Sequence, residues 1–199
     1  MKLLLFSDVH CHEKQCESLV DMSNDVDIVI GAGDFSTFRR GLEQPIAILK
    51  QIKKPTILVP GNSESFEELL AECKDWEEAT VLHGAGCRIK DIDFYGVGGG
   101  IPVTPFGDWS YDFNENQAEK LLADCPIGGI LVTHSPPHGV LDRSWFGKKL
   151  GSTAIRETVL EKKPVLVVCG HIHECSGRQG ELGGSVVINA GPKGMVWEV

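Results

Sequence analysis

The sequence predicts an α/β fold built on two β-sheets or one large mixed sheet, and three observations carry that expectation. The first 75 residues alternate short aliphatic runs with longer amphipathic stretches, the rhythm of a largely parallel sheet. From residue 79 to 100 the apolar runs become short and closely spaced, as antiparallel strands are. Five apolar runs end in a small polar cluster, and open α/β sheets collect their ligands beyond the carboxyl ends of their strands.

In chain order, "KLLLF" is followed by the helical pattern "EKQCESLVDMS", "VDIVIGA" by "RRGLEQPIAILKQI", and "PTILVP" by "SFEELLAECKDW". Ser65 with Glu68 three residues on is a capping-box signature, which starts the third helix near Phe66. "ATVLH", "CRIKD" and "IDFYGVGGG" read as short strands opening a second, partly antiparallel set, with a hairpin turn near Asp91. After an aromatic, Gly/Pro-rich loop come helix "NENQAEKLLAD", strand "GGILVT", helix "STAIRETVLEKK", strand "PVLVVC" and a closing meander of "SVVINA" and "GMVWEV". Residues 1–199 show no repeat, linker or low-complexity segment and read as a single domain.

Bulk properties exclude several classes. The chain has 199 residues, and no apolar run approaches the ~18 residues of a membrane span. The short apolar core of "MKLLLF" is no secretory signal, so a cytoplasmic protein without membrane association is expected. A net charge of −9 without any basic stripe argues against a broad nucleic-acid surface, and leaves a small ligand or a second copy of the chain as partner. Seven cysteines without a C-x-x-C pair read as reduced, buried thiols.

The polar clusters are Asp8-Val9-His10 after the first strand, Gly33-Asp34 after the second and Gly61-Asn62 after the third. His134 follows "GILVT", and Gly170-His171-Ile172-His173 follows "PVLVVC". Oxygen and imidazole ligands without thiolate suit two divalent metals of hard to borderline character. Residues i and i+2 leaving a strand point the same way, which aims Asp8 with His10, and His171 with His173, at one pocket. A carboxylate such as Asp34 can bridge two cations about 3.5–4 Å apart, the spacing of two-metal hydrolytic sites. Singly, Asp34, Asn62 or His134 would be ordinary turn or packing residues; together they form a pattern.

These blocks, "DVH" (8–10), "GD" (33–34), "GNSE" (61–64), "THSPP" (133–137) and "GHIH" (170–173), resemble in order the D-x-H, G-D, G-N-H-[DE], H and G-H-x-H blocks of calcineurin-like metallophosphoesterases. The resemblance spans residues 3–191, and "GGGIP", "THSPPHGVLD" and "GHIHE" are similar to the compact bacterial and archaeal phosphodiesterase-like branch. It implies a four-layer α/β/β/α sandwich of two mixed sheets flanked by helices. It also implies two divalent metals, manganese ahead of iron, zinc, nickel or cobalt. One metal would take Asp8, His10 and His173, the other Asn62, His134 and His171, with Asp34 bridging. Asn62 and His134 would then lie on the phosphate side, and a metal-bridging hydroxide would attack a phosphodiester or small nucleotide-type ester.

Ser63 departs from the family, whose third block has His there. That His contacts phosphate and helps protonate the leaving group, so its loss removes a general acid contributing about 10²–10⁴-fold. Two consequences follow: a preference for leaving groups of low pKa, or a substitute acid in His12 or His138, which read equally as solvated loop histidines. Further candidate substrate contacts are Ser63 itself, Arg39 (with Arg40), Trp109 and Ser152. Trp109, Tyr111 and Phe113 would stack on a base or aryl group, or cap the core; Ser152 would cap a helix or admit phosphate at its N-terminus; Arg39 would contact phosphate or merely start a helix. The alternatives to an enzyme of this kind are a non-enzymatic scaffold of the same fold and, less well supported, a serine hydrolase. The latter rests on Ser63, in a strand-turn-helix context close to G-x-S-x-G, with Asp142 and His171 available downstream.

Overall fold

A computed structural model describes residues 1–199. The first sheet has the order β11-β1-β2-β3-β4, where β1 (Lys2–Phe6), β2 (Ile28–Gly31), β3 (Thr56–Leu58) and β4 (Ala79–Val81) are parallel and β11 (Met195–Glu198) is antiparallel to β1. The second has the order β5-β6-β7-β8-β10-β9, formed by β5 (Ala85–Ile89), β6 (Ile92–Val97), β7 (Ile130–Thr133), β8 (Leu166–Cys169), β9 (Arg178–Leu182) and β10 (Ser185–Asn189). Its central strands β6, β7, β8 and β10 are parallel, and hairpins at the two edges add β5 and β9 antiparallel.

Strand alternation sorts the side chains into layers. Along β1, Leu4 and Phe6 face outward onto α1 (Glu13–Ser23), α2 (Glu43–Leu49) and α3 (Phe66–Cys73), packing with Leu19, Ile46 and Leu69. Leu3 and Leu5 face inward with Ile28, Ile30 and Ile57, against Phe94, Ile130, Val168 and Ile188 of the second sheet. That sheet's other face, with Tyr95, Leu131, Val167 and Val187, is covered by α4 (Glu115–Leu122) and α5 (Thr153–Lys162). Period-2 burial on both faces of the parallel strands thus produces the helix/sheet/sheet/helix sandwich. No helix is long and apolar enough to cross a membrane.

Several elements differ from the sequence expectation. "ATVLH" does not open the second sheet: β4 pairs with β3, and the second sheet begins at β5. The closing segments do not form a meander, because β10 joins β8 while β11 crosses back to pair with β1. β9 escaped the pattern because "RQGEL" has no apolar alternation to signal it. The helix expected over residues 39–52 shrinks to α2, since Phe38, Arg39 and Gly41 have φ values of 49°, 62° and 74°, incompatible with a right-handed helix. The capping box at Ser65 and Glu68 forms as expected, and a second one at Asn114 and Gln117 starts α4.

Candidate metal centre

β1, β2 and β3 of one sheet and β7 and β8 of the other all end toward the same crevice. Asp8, His10, Asp34 and His171 leave their strands with φ of 56°, 42°, 57° and 66°. Non-glycine residues in the left-handed region cost about 1–2 kcal/mol each and cluster where function over-determines the backbone. Two glycines make the approach possible: a Cβ on Gly61 would overlap the Asp34 amide nitrogen, and one on Gly170 would lie 2.6 Å from Asp8 Oδ2.

All seven predicted ligands converge. His10 Nε2 lies 3.2 Å from His173 Nε2, and His173 Nε2 lies 3.6 Å from Asp8 Oδ1. On the other side, His134 Nε2 lies 3.2 Å from Asn62 Oδ1, and the His134 and His171 rings are 4.9 Å apart. Asp34 stands between the two groups: Oδ2 is 3.5 Å from His10 Nε2 and Oδ1 is 3.5 Å from His134 Nε2. Asp8 reaches both, since its carboxylate oxygen lies within 4.8 Å of the ligand atoms of His10 and His173 and also of Asp34 and His134.

The surroundings aim these atoms. The Nδ1–H of His10 donates to Ser36 O at 3.0 Å and that of His134 to Ala32 O at 2.8 Å, which leaves both Nε2 lone pairs facing inward. Asn62 Nδ2 donates to Ser110 Oγ at 3.1 Å, so its carbonyl oxygen points at the site. Asp8 and Asp34 are 6% and 4% exposed, and their only ion-pair partners are histidines. Two buried carboxylates without a Lys or Arg, ringed by neutral-capable imidazoles, are the donor set of a divalent-cation site. The residues present therefore fit two metals.

Protonation follows the same geometry. Burial opposes the charge of Asp8, but the close His173 ring, the His134 ring and the hydrogen bond from the Ser7 hydroxyl outweigh it and hold the carboxyl far below the usual range. For His134 burial is likewise outweighed, by the Asp34 and Asp8 carboxylates, and its pKa rises. Burial and the neighbouring His134 push His171 down to about 4, the neutral form a ligand needs.

Glu64, which had only a motif position to mark it, proves to be the tie beneath the site. It is 1% exposed and accepts from the amides of Gly61 at 2.7 Å, Asp34 at 2.8 Å and Ser36 at 3.0 Å. Burial and the like charge of Asp34 push its carboxyl up to about 7, against the pull of the Ser36 and Gly61 amides. Ser110, with Thr104 and Asp112 behind it, was also invisible in the sequence, since no pattern links a loop serine to a strand end 48 residues earlier.

The expected substrate contacts divide. Ser63 and Trp109 line a cavity of ≈ 560 Å³ with His10, Asp34, Asn62, His171 and His173. Ser63 commits its backbone, donating from N–H to Asp34 Oδ1 at 2.8 Å and accepting from Ser36 Oγ and the Arg39 amide; its hydroxyl has no base partner. Asp142 meanwhile accepts from the amides of Gly139 and Gly151, so no Ser-His-Asp relay forms. Arg39 is not free for phosphate: its guanidinium is bidentate on Glu68 at 2.9 and 2.8 Å. Ser152 caps α5 by accepting from the Ile155 amide, but Glu115 fills that helix end, receiving the Ser152 hydroxyl and the Thr153 and Ala154 amides at 2.7–3.0 Å. A carboxylate therefore holds the place expected for phosphate. His12 is exposed and lines a neighbouring ≈ 400 Å³ hollow with Asp8, His10 and His173, whereas the backbone of His138 is taken up by Ser152 and Arg156.

Known proteins share this fold. TT1561 of Thermus thermophilus is similar, with a TM-score of 0.78 at 21% identity over 96% of this chain and 90% of that one. A dimetal phosphatase from Danio rerio superposes with a TM-score of 0.64 at 13% identity, over 95% of this chain and 86% of its own. Metallophosphoesterase domain-containing protein 1 of Homo sapiens is 32% identical over 143 residues, 67% of this chain. The match spans only 39% of that relative's length. A UPF0046 protein of Caenorhabditis elegans is 28% identical over 96% of this chain and 69% of its own. The model of the calcineurin-like phosphoesterase superfamily domain matches residues 1–198, and with Asp/His clusters at its strand ends this chain belongs to that superfamily of metal-dependent phosphoesterases.

Proposed function

We propose that the chain is a dinuclear-metal hydrolase of phosphodiesters or small nucleotide-type esters, manganese being the preferred metal. The observation that carries this reading is Asp34, whose two carboxylate oxygens face two separate imidazole groups at 3.5 Å each. Asp8, His10 and His173 would hold one ion, and Asn62, His134 and His171 the other, with Asp34 shared. Two such ions supply Lewis acidity toward phosphoryl oxygens and lower the pKa of water toward neutrality.

The chain's own residues do the rest. The carbonyls of Ser36 and Ala32 orient His10 and His134, and Ser110 orients Asn62, whose neutral amide leaves the site cationic. With only two carboxylates in the set, the loaded site attracts a phosphate anion despite the acidity of the whole protein. No proton donor stands at position 63, and the exposed His12 beside Asp8 is better placed to deliver one than His138. Esters with leaving groups of low pKa, which need little protonation, are the favoured substrates.

The test is a panel of phosphomonoesters and diesters assayed with Mn, Fe, Ni, Co and Zn. Hydrolysis of bis(p-nitrophenyl) phosphate, abolished by chelation, restored by metal and insensitive to fluorophosphonates, is expected. Tight binding of two metals without turnover of any phosphoester would instead favour the non-enzymatic scaffold. Equal rates on alkyl and aryl esters would remove the leaving-group argument, and unchanged kcat in His12→Ala would return that residue to the solvated loop.

A further inference from the structure

The cavity beside the ligands has an apolar wall that the metal chemistry does not use. Phe38, Phe106, Trp109 and Leu150 line it, and Phe38 and Phe106 are 63% and 51% exposed. Phe38 is held there by an unusual turn. Thr37 N–H donates to Arg40 O at 3.1 Å and Arg40 N–H to Thr37 O at 3.0 Å, closing a two-residue loop whose central residues, Phe38 and Arg39, have φ of 49° and 62°. Left-handed dihedrals at both central positions define a type I′ turn, whose preferred residues are Asn-Gly. A phenylalanine followed by an arginine is a costly choice for that backbone.

Contacts on every side hold the turn in place. The Arg39 amide donates to Ser63 O at 3.0 Å, its guanidinium grips Glu68, and Nη1 reaches Trp109 O at 3.5 Å. The Phe38 ring meets Trp109 edge-on at 4.9 Å and 81°, and Trp109 stacks on Phe106 at 5.5 Å and 14°. Trp109 is therefore covered by the two phenyl rings, and the open aromatic surface belongs to its neighbours. Burying the Phe38 ring would favour folding; straining the backbone to expose it does not. Strain at an exposed aromatic four residues from Asp34 marks a binding surface.

We propose that Phe38, backed by Trp109 and Phe106, is the subsite for a flat aromatic substituent of the phosphoester, a phenyl ring or a nucleobase. The proposal rests on the phosphoesterase reading and adds a substrate class to it. A planar ring packs on the Phe38 face, while the loop that carries it also carries Asp34, so ring and phosphorus are read by one segment.

The test measures binding of phenylphosphonate, ethylphosphonate and adenosine 5′-phosphate to the manganese-loaded protein by calorimetry. The first two cannot be hydrolysed. Phenylphosphonate is expected to bind about threefold to tenfold more tightly than ethylphosphonate, and the adenosine arm shows whether a base fits better than a phenyl ring. Phe38→Asn suits the type I′ turn, which offsets the lost contact with Trp109, so its Tm should stay within about 2–4 °C of the wild type while the substitution erases the aromatic preference and leaves ethylphosphonate affinity unchanged. A parallel rise in KM for bis(p-nitrophenyl) phosphate at constant kcat would agree. Equal affinity for phenyl- and ethylphosphonate in the wild type, or a preference that survives Phe38→Asn, overturns the subsite while leaving the phosphoesterase reading intact. No affinity for any of the three, together with no turnover, overturns both.

Discussion

Replacing Glu64 by Ala removes the side chain that ties the Asp34 loop to the Asn62 loop beneath the site. Three buried amides, those of Gly61, Asp34 and Ser36, lose their acceptor. Each unsatisfied buried donor costs about 1–3 kcal/mol. Water entering the space left by the carboxylate recovers part of that, which leaves a net loss of about 3 kcal/mol. For a chain of 199 residues this corresponds to a fall in Tm of about 6–12 °C. The same loss should be felt by the metals, because Asp34 is aimed by its backbone and the outer partners of a metal site are worth about 10–100-fold in affinity. Thermal unfolding of the metal-free protein measures the first effect, and titration with manganese the second. Glu161→Ala is the control: that side chain is 72% exposed beside Lys162, and its removal should cost less than about 0.5 kcal/mol. A Tm for Glu64→Ala within about 2 °C of the wild type, with unaltered metal affinity, would refute the tie.

Ser152→Ala should cost about 1–2 kcal/mol through the lost cap and leave phosphodiester KM untouched, because Glu115 occupies that helix end; a raised KM would put phosphate back there. Ser63→His should raise turnover on esters with poor leaving groups by up to about 10²-fold by restoring an acid, and no gain on alkyl esters would remove Ser63 from the account of rate. His83 is held below its ordinary pKa by burial, accepting from the Gly98 amide at 3.2 Å between the Phe66 and Phe113 rings. The unfolded chain therefore binds a proton first, so stability falls as pH drops below the ordinary value of 6.5 toward the lower folded value. Tm should decline less between pH 7 and 5 in His83→Gln than in the wild type, and parallel curves would show that this ring does not contribute.

The converging residues were legible because each candidate ligand follows a continuous apolar run, and a glycine directly before Asp34, Asn62 and His171 marks those strands' exits without knowledge of their neighbours. Asp8, His10, Asp34, Asn62, His134, His171 and His173 stood out only as a joint pattern of such ends, whose division between two metals was implied by the family resemblance, whereas the capping box at Ser65 is purely local. Sheet membership is a different kind of fact. The apolar face of β4 could be satisfied on either sheet, and "GMVWEV" carries nothing that says it crosses back to β1, because a pattern of burial specifies a face and not a partner. The same limit hid the residues that matter through long-range contact. Glu115 reaches the start of α5 from 37 residues away, Arg39 finds Glu68 rather than phosphate, and Phe38 is turned outward by a φ that no composition announces. Chemistry that follows a strand's own end is written in consecutive residues; chemistry that depends on which surfaces meet is settled by packing, where hydrogen-bond partners and close approach are chosen among distant candidates.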